Sequence, residues 1–295
     1  MNQLKSLSKT LIGRALCLSL VILPFLGLGC QPISSTSPVE KLPEMRTNSL
    51  GMKLLLLPSG RFMMGSPTTE LQRKFNERLH PVTLSHPFYM GAYEVTQKEW
   101  KHVMGNEPSF FKGENLPVET VSWNEAQLFC QRLTQQERSS GHISGSCRYR
   151  LPTEAEREYA CRAGTTTTFN TGMTLDATQA NINGETPYPG TKTSLFRKRT
   201  LPVGSFPPNA WGLYDMHGNV YEWCQDYWSG YPEGEITDPF PTTPHKRRVY
   251  RGGAWKFPAA AARSAKRSQR DPAKKFDFMG LRLVLEVKGT DDSKQ

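Results

Sequence analysis

Residues 202–228, PVGSFPPNAWGLYDMHGNVYEWCQDYW, constrain the fold of this chain more than any other stretch. The stretch is dense in Pro, Gly, Asn and aromatic residues. Its apolar residues follow neither the 3.6-residue period of an amphipathic helix nor the two-residue alternation of a half-buried strand. It therefore predicts an ordered loop that is held by aromatic packing and by bound polar groups.

The composition agrees with a loop-rich domain. Hydrophobic residues make up 37% of the 295, a modest share that is still adequate for a core at this length. Gly and Pro are frequent, and long periodic segments are few. These features favour one large α+β domain with little regular secondary structure.

Short segments with helical or strand patterns are spread along the chain. Helices are predicted where apolar residues recur at helical spacing or where Thr with a following Glu forms a capping pattern; they are 96–103, 124–135 and 152–160. Strands are predicted at 52–57, 82–84, 248–251 and 281–287.

Asp215, Gly218, Asn219 and Glu222 lie close together in a run of turn formers. Carboxylates, together with carbonyls that a Gly turn frees, are the ligands that a hard cation such as Ca²⁺ prefers. The alternative is that Asp215 and Glu222 only cap turns. The spacing alone leaves both interpretations open.

The first 30 residues have the pattern of a secretory signal. Lys5, Lys9 and Arg14 precede an apolar run, 15–29, that ends in small residues before Cys30. The run resembles a bacterial lipoprotein signal, in which Cys30 would carry lipid; a plain signal peptide cut elsewhere is the alternative. We expect an exported protein, anchored by lipid to the periplasmic or cell-surface face of a bacterial membrane without spanning it.

The rest of the chain divides by composition. Residues 31–46 are rich in Ser, Thr and Pro and predict a flexible tether. A single domain is predicted over 47–288, followed by a disordered tail at 289–295.

Several short motifs occur in a fixed order over residues 50–287; they lie at 62–65, 93–96, 117–123, 149–164, 212–223, 251–255 and 280–282. Together they resemble the formylglycine-generating enzyme family, also called the sulfatase-modifying-factor domain. The resemblance implies its loop-rich, C-type-lectin-like α+β fold. One departure is Arg157, where family members commonly have Trp.

The resemblance also indicates what is missing. Members that make formylglycine hold copper with two cysteines after the Gly-Gly turn, and a thiolate pair suits Cu(I). Here the first position falls near Phe257 and the second among Ala259 to Ala262, and no cysteine follows Cys224. The resemblance therefore implies no catalytic residues of this kind and no bound copper.

For calcium, the resemblance implies ligands at Asp215, at the carbonyls of Gly218 and Val220, and at Glu222. A second family site matches at Asn181 and Ile182 only. Its acidic position falls near 194–195, where the residues are Ser and Leu. One calcium ion is therefore expected.

Besides Cys30, the mature chain would keep Cys130, Cys147, Cys161 and Cys224, and an exported chain permits disulfides. Sequence cannot choose among their pairings. The resemblance implies that Cys130 and Cys161 have lost their partners, whose positions are taken by Ala262 or Ser264 and by Leu283. Both cysteines are then free, or they pair with Cys147 or with each other.

The formal net charge is +10, and Lys and Arg dominate 245–282, where only Asp271 and Asp277 oppose them. A focused positive potential attracts anions. The predicted ligand-binding residues are Trp255, Lys256, Arg263, Lys266 and Arg267. The alternatives are a solvated basic face or arginines that are paired inside the loop core. Arg251 and Arg282 are expected to be structural.

Two functions follow as hypotheses. The first is a non-catalytic binding module that presents residues 255–275 to an acidic glycan or acidic protein; no nucleic-acid motif accompanies the charge. The alternative is a formylglycine-generating oxidase that acts on sulfatase cysteines through unusual residues or through Cys130, Cys161 or Cys224. The missing cysteine pair favours the first.

Overall fold

The structure is a computed structural model and describes residues 45–287. The predicted signal with Cys30, most of the tether and the tail lie outside the described residues. The tether prediction differs at its end, because Met45 and Arg46 already belong to the first strand. Within residues 45–287, the chain forms no helix with the length and apolar composition needed to cross a bilayer.

Twelve short strands make up most of the regular structure in this part of the chain. They are β1 Met45–Thr47, β2 Lys53–Leu57, β3 Gly60–Met64, β4 His80–Leu84, β5 Phe88–Gly91, β6 Cys147–Arg150, β7 Tyr221–Tyr227, β8 Ile236–Thr237, β9 Arg248–Arg251, β10 Ser268–Arg270, β11 Met279–Gly280 and β12 Val284–Val287. The four predicted strands correspond to β2, β4, β9 and β12.

The three predicted helices are confirmed, as α1 Gln97–Met104, α2 Trp123–Ser139 and α3 Glu154–Arg162. Each begins with a capping box, at Thr96, Ser122 and Thr153, in which a Glu three residues later bonds back to the cap. Helix α2 is longer than predicted at both ends.

The strands form three sheets. A five-stranded sheet has the order β1-β2-β5-β12-β6, a four-stranded sheet the order β10-β9-β7-β11, and a three-stranded sheet the order β3-β4-β8. Strand β6 therefore lies at an edge, paired antiparallel with β12. Helices α1 and α2 pack in the largest apolar cluster, where Trp100 stacks on Phe129 with ring centroids 5.2 Å apart.

The prediction of a loop throughout 202–228 is wrong at its C-terminal end, because Tyr221–Tyr227 is strand β7. Its residues from Tyr221 to Cys224 are all buried, so the strand is covered on both faces and shows no alternation. The remaining part of the stretch is irregular, as predicted. The mixture of short helices, short strands and long loops confirms the loop-rich α+β fold.

Candidate functional site

The loop before β7 is ordered by side-chain hydrogen bonds. Asn219 has a left-handed backbone (φ 64°) and donates from Nδ2 to Glu94 Oε2 at 2.7 Å. Its Oδ1 accepts from Asn181 Nδ2 and from the Leu201 backbone N–H, each at 3.0 Å. A Cβ on Gly218 would lie 2.5 Å from the Asn181 carbonyl oxygen, so only Gly fits there.

Glu222 follows in β7 and is fully buried between two arginines. Arg157 donates to its carboxylate from Nε at 2.6 Å and from Nη2 at 3.1 Å. Arg282 donates from Nη2 at 2.9 Å and from Nε at 3.1 Å. Burial alone would raise the pKa of Glu222, but the two guanidinium groups outweigh it and lower that pKa. Glu222 is therefore an anion inside the core.

The donor set does not fit a calcium ion with Glu222 as ligand. Both Glu222 oxygens are bound by guanidinium groups, which already supply positive charge at this place. The Asp215 carboxylate accepts from the Gly204 N–H at 2.6 Å, and burial raises the pKa of Asp215 to about 6. A calcium ion would have to displace Arg157 or Arg282 to reach Glu222. Residues 45–287 contain no group of three or more His, Cys, Asp or Glu placed to hold a metal.

The second predicted calcium site contains one buried oxygen atom that has no hydrogen-bond partner within residues 45–287. Asn181 Oδ1 is buried and has no hydrogen-bond partner, although Asn181 Nδ2 donates to Asn219 and to the Arg199 carbonyl. Ile182 next to it is buried. A lone amide oxygen with a backbone carbonyl is a poor set for Ca²⁺, which takes six to eight oxygens.

The places where the resemblance puts a cysteine pair belong to the apolar core. Phe257 packs edge-on against Tyr221 and Phe278, with ring centroids 5.3 and 5.0 Å away. Ala259 and Ala262 are buried in a separate apolar cluster. Neither place presents a group that could bind a metal or a substrate thiol.

The four described cysteines are free and buried, so the disulfide alternatives left open by the sequence are not realised among them. Burial raises the pKa of Cys130 to about 12 and the pKa of Cys224 well above its usual value. For Cys161, burial opposes ionisation, but His217 and Arg157 offset it and lower the pKa to about 6.

Cys161 is nevertheless closed to substrate. Its side chain is buried, and its Sγ lies 3.8 Å from Ser264 Oγ, one of the two positions where the resemblance places a lost partner. His217 donates from Nδ1 to the Ala262 carbonyl at 2.7 Å and accepts at Nε2 from the Asn170 N–H at 3.0 Å. Both ring nitrogens are thus held by backbone groups, and the Cys161 Sγ lies 3.7 Å from Nε2.

Two of the predicted ligand-binding residues are buried ion-pair partners instead. Arg263 binds Glu70 at 2.5 Å and Glu77 at 2.7 Å, and Arg267 binds Glu154 at 2.5 Å. Both arginines are almost completely buried. The prediction that they face a ligand is therefore corrected. Their charges are compensated inside the domain, which was the alternative interpretation of the basic segment.

The other three predicted ligand-binding residues differ in exposure. Trp255 is buried, and its Nε1 donates to the Asp277 carbonyl at 3.0 Å. Lys266 is half-buried, and burial lowers its pKa. Lys256 is exposed, with its Nζ 3.7 Å from an Asp277 carboxylate oxygen. Of the predicted set, Lys256 offers the most accessible charge.

A groove of about 600 Å³ that the sequence did not predict lies between α2 and β6 on one side and β7 and β9 on the other. We call it the arginine groove; residues that line it include Trp123, Arg138, Arg148, Arg150, Tyr227 and Arg248. The sequence signal that could have indicated it is the row of Gln127, Gln131 and Gln135, spaced by four along a predicted helix.

Residues 39–287 match the family model described as the sulfatase-modifying factor enzyme 1-like domain, and the chain belongs to this family. The formylglycine-generating enzyme of Mus musculus is 33% identical over 231 residues, which cover 75% of this chain and 57% of that enzyme. The chaperone protein LppX of Paenibacillus barcinonensis is 34% identical over 210 residues, which cover 59% of this chain and 71% of LppX.

A solved structure, PvdO from Pseudomonas aeruginosa, superposes with a TM-score of 0.70 at 28% identity and covers 84% of this chain and 100% of PvdO. Because the match spans only 57% of the mouse enzyme, activity and partners do not transfer with the family.

Proposed function

We propose that this domain is a non-catalytic binding module for an anionic ligand, carried by an exported, lipid-anchored protein. One observation carries the proposal. By the resemblance, the positions of the copper-binding thiols of formylglycine-generating members fall near Phe257 and among Ala259 to Ala262, and these side chains lie in apolar packing.

The oxidase alternative lacks suitable groups in this place. A soft cuprous ion needs thiolate or thioether ligands, and neither Phe nor Ala can supply them. Cys161, with its lowered pKa, is buried beneath Ser264 and His217 and lies away from solvent. A relative that is named a chaperone rather than an oxidase supports a family role other than formylglycine formation.

The anionic class of ligand is supported by charge. The chain carries a formal net charge of +10, and such a surplus raises the local concentration of anions and speeds their association. Arg263 and Arg267 are compensated internally, so the charge available to a ligand must come from other residues.

The proposal is tested by incubating the purified protein with copper and a peptide that carries a sulfatase-type cysteine motif. Mass spectrometry then measures conversion of the peptide cysteine to formylglycine. We expect no conversion, while a formylglycine-generating relative assayed in parallel converts the same peptide. Conversion by this protein would overturn the non-catalytic assignment.

The anchor is tested separately, because it depends on residues 1–30. Replacing Cys30 with Ala should release the protein from the membrane fraction or leave its signal unprocessed, since the cysteine would be the site of lipid attachment. Cell fractionation with immunoblotting measures both. A Cys30→Ala protein that fractionates and is processed like the wild type would exclude the lipoprotein assignment. The matched control is Cys17→Ala, which should behave like the wild type.

A further inference from the structure

The arginine groove carries positive charge that the domain does not compensate. Arg150 pairs with Glu156 at 2.7 Å, and Arg148 and Arg150 share Glu286. Within residues 45–287, no carboxylate pairs with the other two arginines of the groove. Uncompensated guanidinium groups in a recess favour an anionic ligand, which they can bind through charge-assisted hydrogen bonds.

Those two arginines, Arg138 and Arg248, are held in place by backbone carbonyls. Arg138 donates to the Cys147 carbonyl from Nε at 3.0 Å and from Nη2 at 2.7 Å. Arg248 donates from Nη1 to the Gln225 carbonyl at 2.8 Å. These bonds fix each guanidinium group and leave further N–H groups for a ligand, because a guanidinium has five donors.

Two aromatic rings lie against the guanidinium group of Arg248. The Arg248 guanidinium lies 3.8 Å from the Trp123 ring centroid and 3.3 Å from the Tyr227 ring centroid. The Trp123 ring is fixed by its own Nε1, which donates to the Cys224 carbonyl at 2.8 Å. The two rings therefore hold the Arg248 guanidinium in place at the groove by cation–π contacts.

The α2 side of the groove offers amides. Gln127, Gln131 and Gln135 recur at four-residue spacing and so lie on one face of the helix. Each amide both donates and accepts hydrogen bonds. Sugar hydroxyls do the same, so a row of amides beside two arginines without a carboxylate partner in residues 45–287 suits an acidic saccharide chain.

An extended peptide is a poorer fit, because the free edge of β6 is already covered by α2. Thr134 Oγ1 accepts from the Tyr149 N–H at 2.9 Å, while its own proton goes to the Cys130 carbonyl at 2.7 Å. Arg138 occupies the Cys147 carbonyl. A peptide that adds as a strand needs those backbone groups unpaired.

We propose that the arginine groove binds an acidic oligosaccharide, with carboxylates on Arg138 and Arg248 and sugar hydroxyls on the row of glutamine amides of α2. A volume of about 600 Å³ is within the range of ligand clefts. This inference rests on the proposed function as a binding module, and it moves the site from residues 255–275 to a different surface.

The test is isothermal titration calorimetry of the purified protein with tetragalacturonate, with a neutral tetrasaccharide and with a glutamate-rich peptide of matching charge. At low salt, tetragalacturonate should bind and the neutral sugar should not. Arg248→Gln and Arg138→Gln should each weaken binding about tenfold or more, because each removes a charged donor. Arg132→Gln, an equal change at an exposed position of α2 outside the groove, should bind as the wild type does.

Each other outcome has a defined meaning. No binding of tetragalacturonate at low salt, or undiminished binding by both groove variants, overturns the groove assignment. Loss of binding in Lys256→Gln with intact groove variants would place the site in residues 255–275 and leave the proposed function standing. Tighter binding of the acidic peptide overturns the saccharide class.

The copper assay is independent of all these binding measurements, so failure of the non-catalytic assignment would be seen there alone. Circular dichroism and melting curves identify any variant that does not fold.

Discussion

Arg157 and Arg282 hold the Glu222 carboxylate between them, although they lie 65 and 60 positions away from it in sequence. Their remaining N–H groups bind loop carbonyls, from Arg157 to Met216 at 3.1 Å and from Arg282 to Tyr214 at 2.8 Å. One carboxylate thus fixes two arginines, and the arginines fix the loop before β7. At the scale of single residues, this domain orders its loops with buried charge.

Replacing Arg157 with Gln should destabilise the domain by about 3 kcal/mol, because it breaks a buried ion pair with Glu222 and the bond to the Met216 carbonyl, although Arg282 still faces Glu222. The free energy of unfolding in urea measures the loss. Arg61→Gln is the control, since Arg61 and its partner Glu235 are exposed, with side-chain exposures of 63% and 49%. An exposed pair contributes at most about 1 kcal/mol. Equal losses in the two variants would show that the buried pair contributes little.

At the scale of elements, the start of α3 depends on β7. The Asp226 carboxylate, from β7, accepts from the Glu154 N–H at 2.8 Å, while Thr153 caps the same helix from its own side. Burial and the neighbouring Glu154 raise the pKa of Asp226 well above its ordinary 3.8, so the fold favours the protonated carboxyl group over the ionised one.

A raised pKa in the folded state gives stability that is complete below pH 3.8 and is lost as pH rises through the folded value. Asp226→Asn keeps an oxygen acceptor and cannot ionise. We expect this variant to lose less stability than the wild type between pH 5 and pH 8, by up to ~1.4 kcal/mol per pH unit over the interval between the two pKa values. Urea unfolding across pH measures it.

Asp271→Asn is the matched control, because Asp271 is exposed and also accepts from a backbone N–H, that of Ala273, at 2.9 Å. It tests whether loss of any carboxylate that accepts a backbone N–H reproduces the effect. If Asp226→Asn and the wild type lose the same free energy between pH 5 and pH 8, Asp226 is ionised in the folded protein.

The elements also show what sequence could predict. Helices α1 and α3 were predictable because their start signals, Thr96 with Glu99 and Thr153 with Glu156, are local. Strand β7 was not, because burial on both faces removes alternation. The arginine groove was not, because α2, β6 and β9 come together only in the fold. The fold class followed from many short motifs in order, whereas the site depended on contacts between distant residues.

At the scale of the whole molecule, the basic C-terminal half contributes to a charged interior. Within residues 45–287, six buried arginines pair with five buried glutamates; they are Arg157, Arg162, Arg251, Arg263, Arg267 and Arg282, with Glu70, Glu77, Glu154, Glu158 and Glu222. The sequence gives the number of these charges, but it does not show which of them face the interior of the domain and which face solvent. In a domain with few long helices or strands, such pairs connect loops that backbone hydrogen bonds do not connect.

This interior leads to an expectation about calcium for the whole domain. The guanidinium groups of Arg157 and Arg282 already compensate Glu222, so the folded state should not need a metal ion at this loop. We expect the melting temperature to differ by less than about 2 °C between excess Ca²⁺ and EGTA, which corresponds to less than ~1 kcal/mol for a domain of this size. A bound ion at a hundred times its Kd would contribute about 2.7 kcal/mol and a larger shift.

The Arg157→Gln variant makes any effect of calcium on the melting temperature easier to detect, because it removes one of the two cations at Glu222. Any stabilisation by calcium should be greater in this variant than in the wild type, since Glu222 then has oxygen lone pairs to offer beside Asp215 and the carbonyls of Gly218 and Val220. Differential scanning fluorimetry of both proteins, each with Ca²⁺ and with EGTA, gives the comparison. A wild-type protein that melts several degrees lower in EGTA, with the effect abolished in Asp215→Ala and Glu222→Ala, would restore calcium as a structural ligand of this loop.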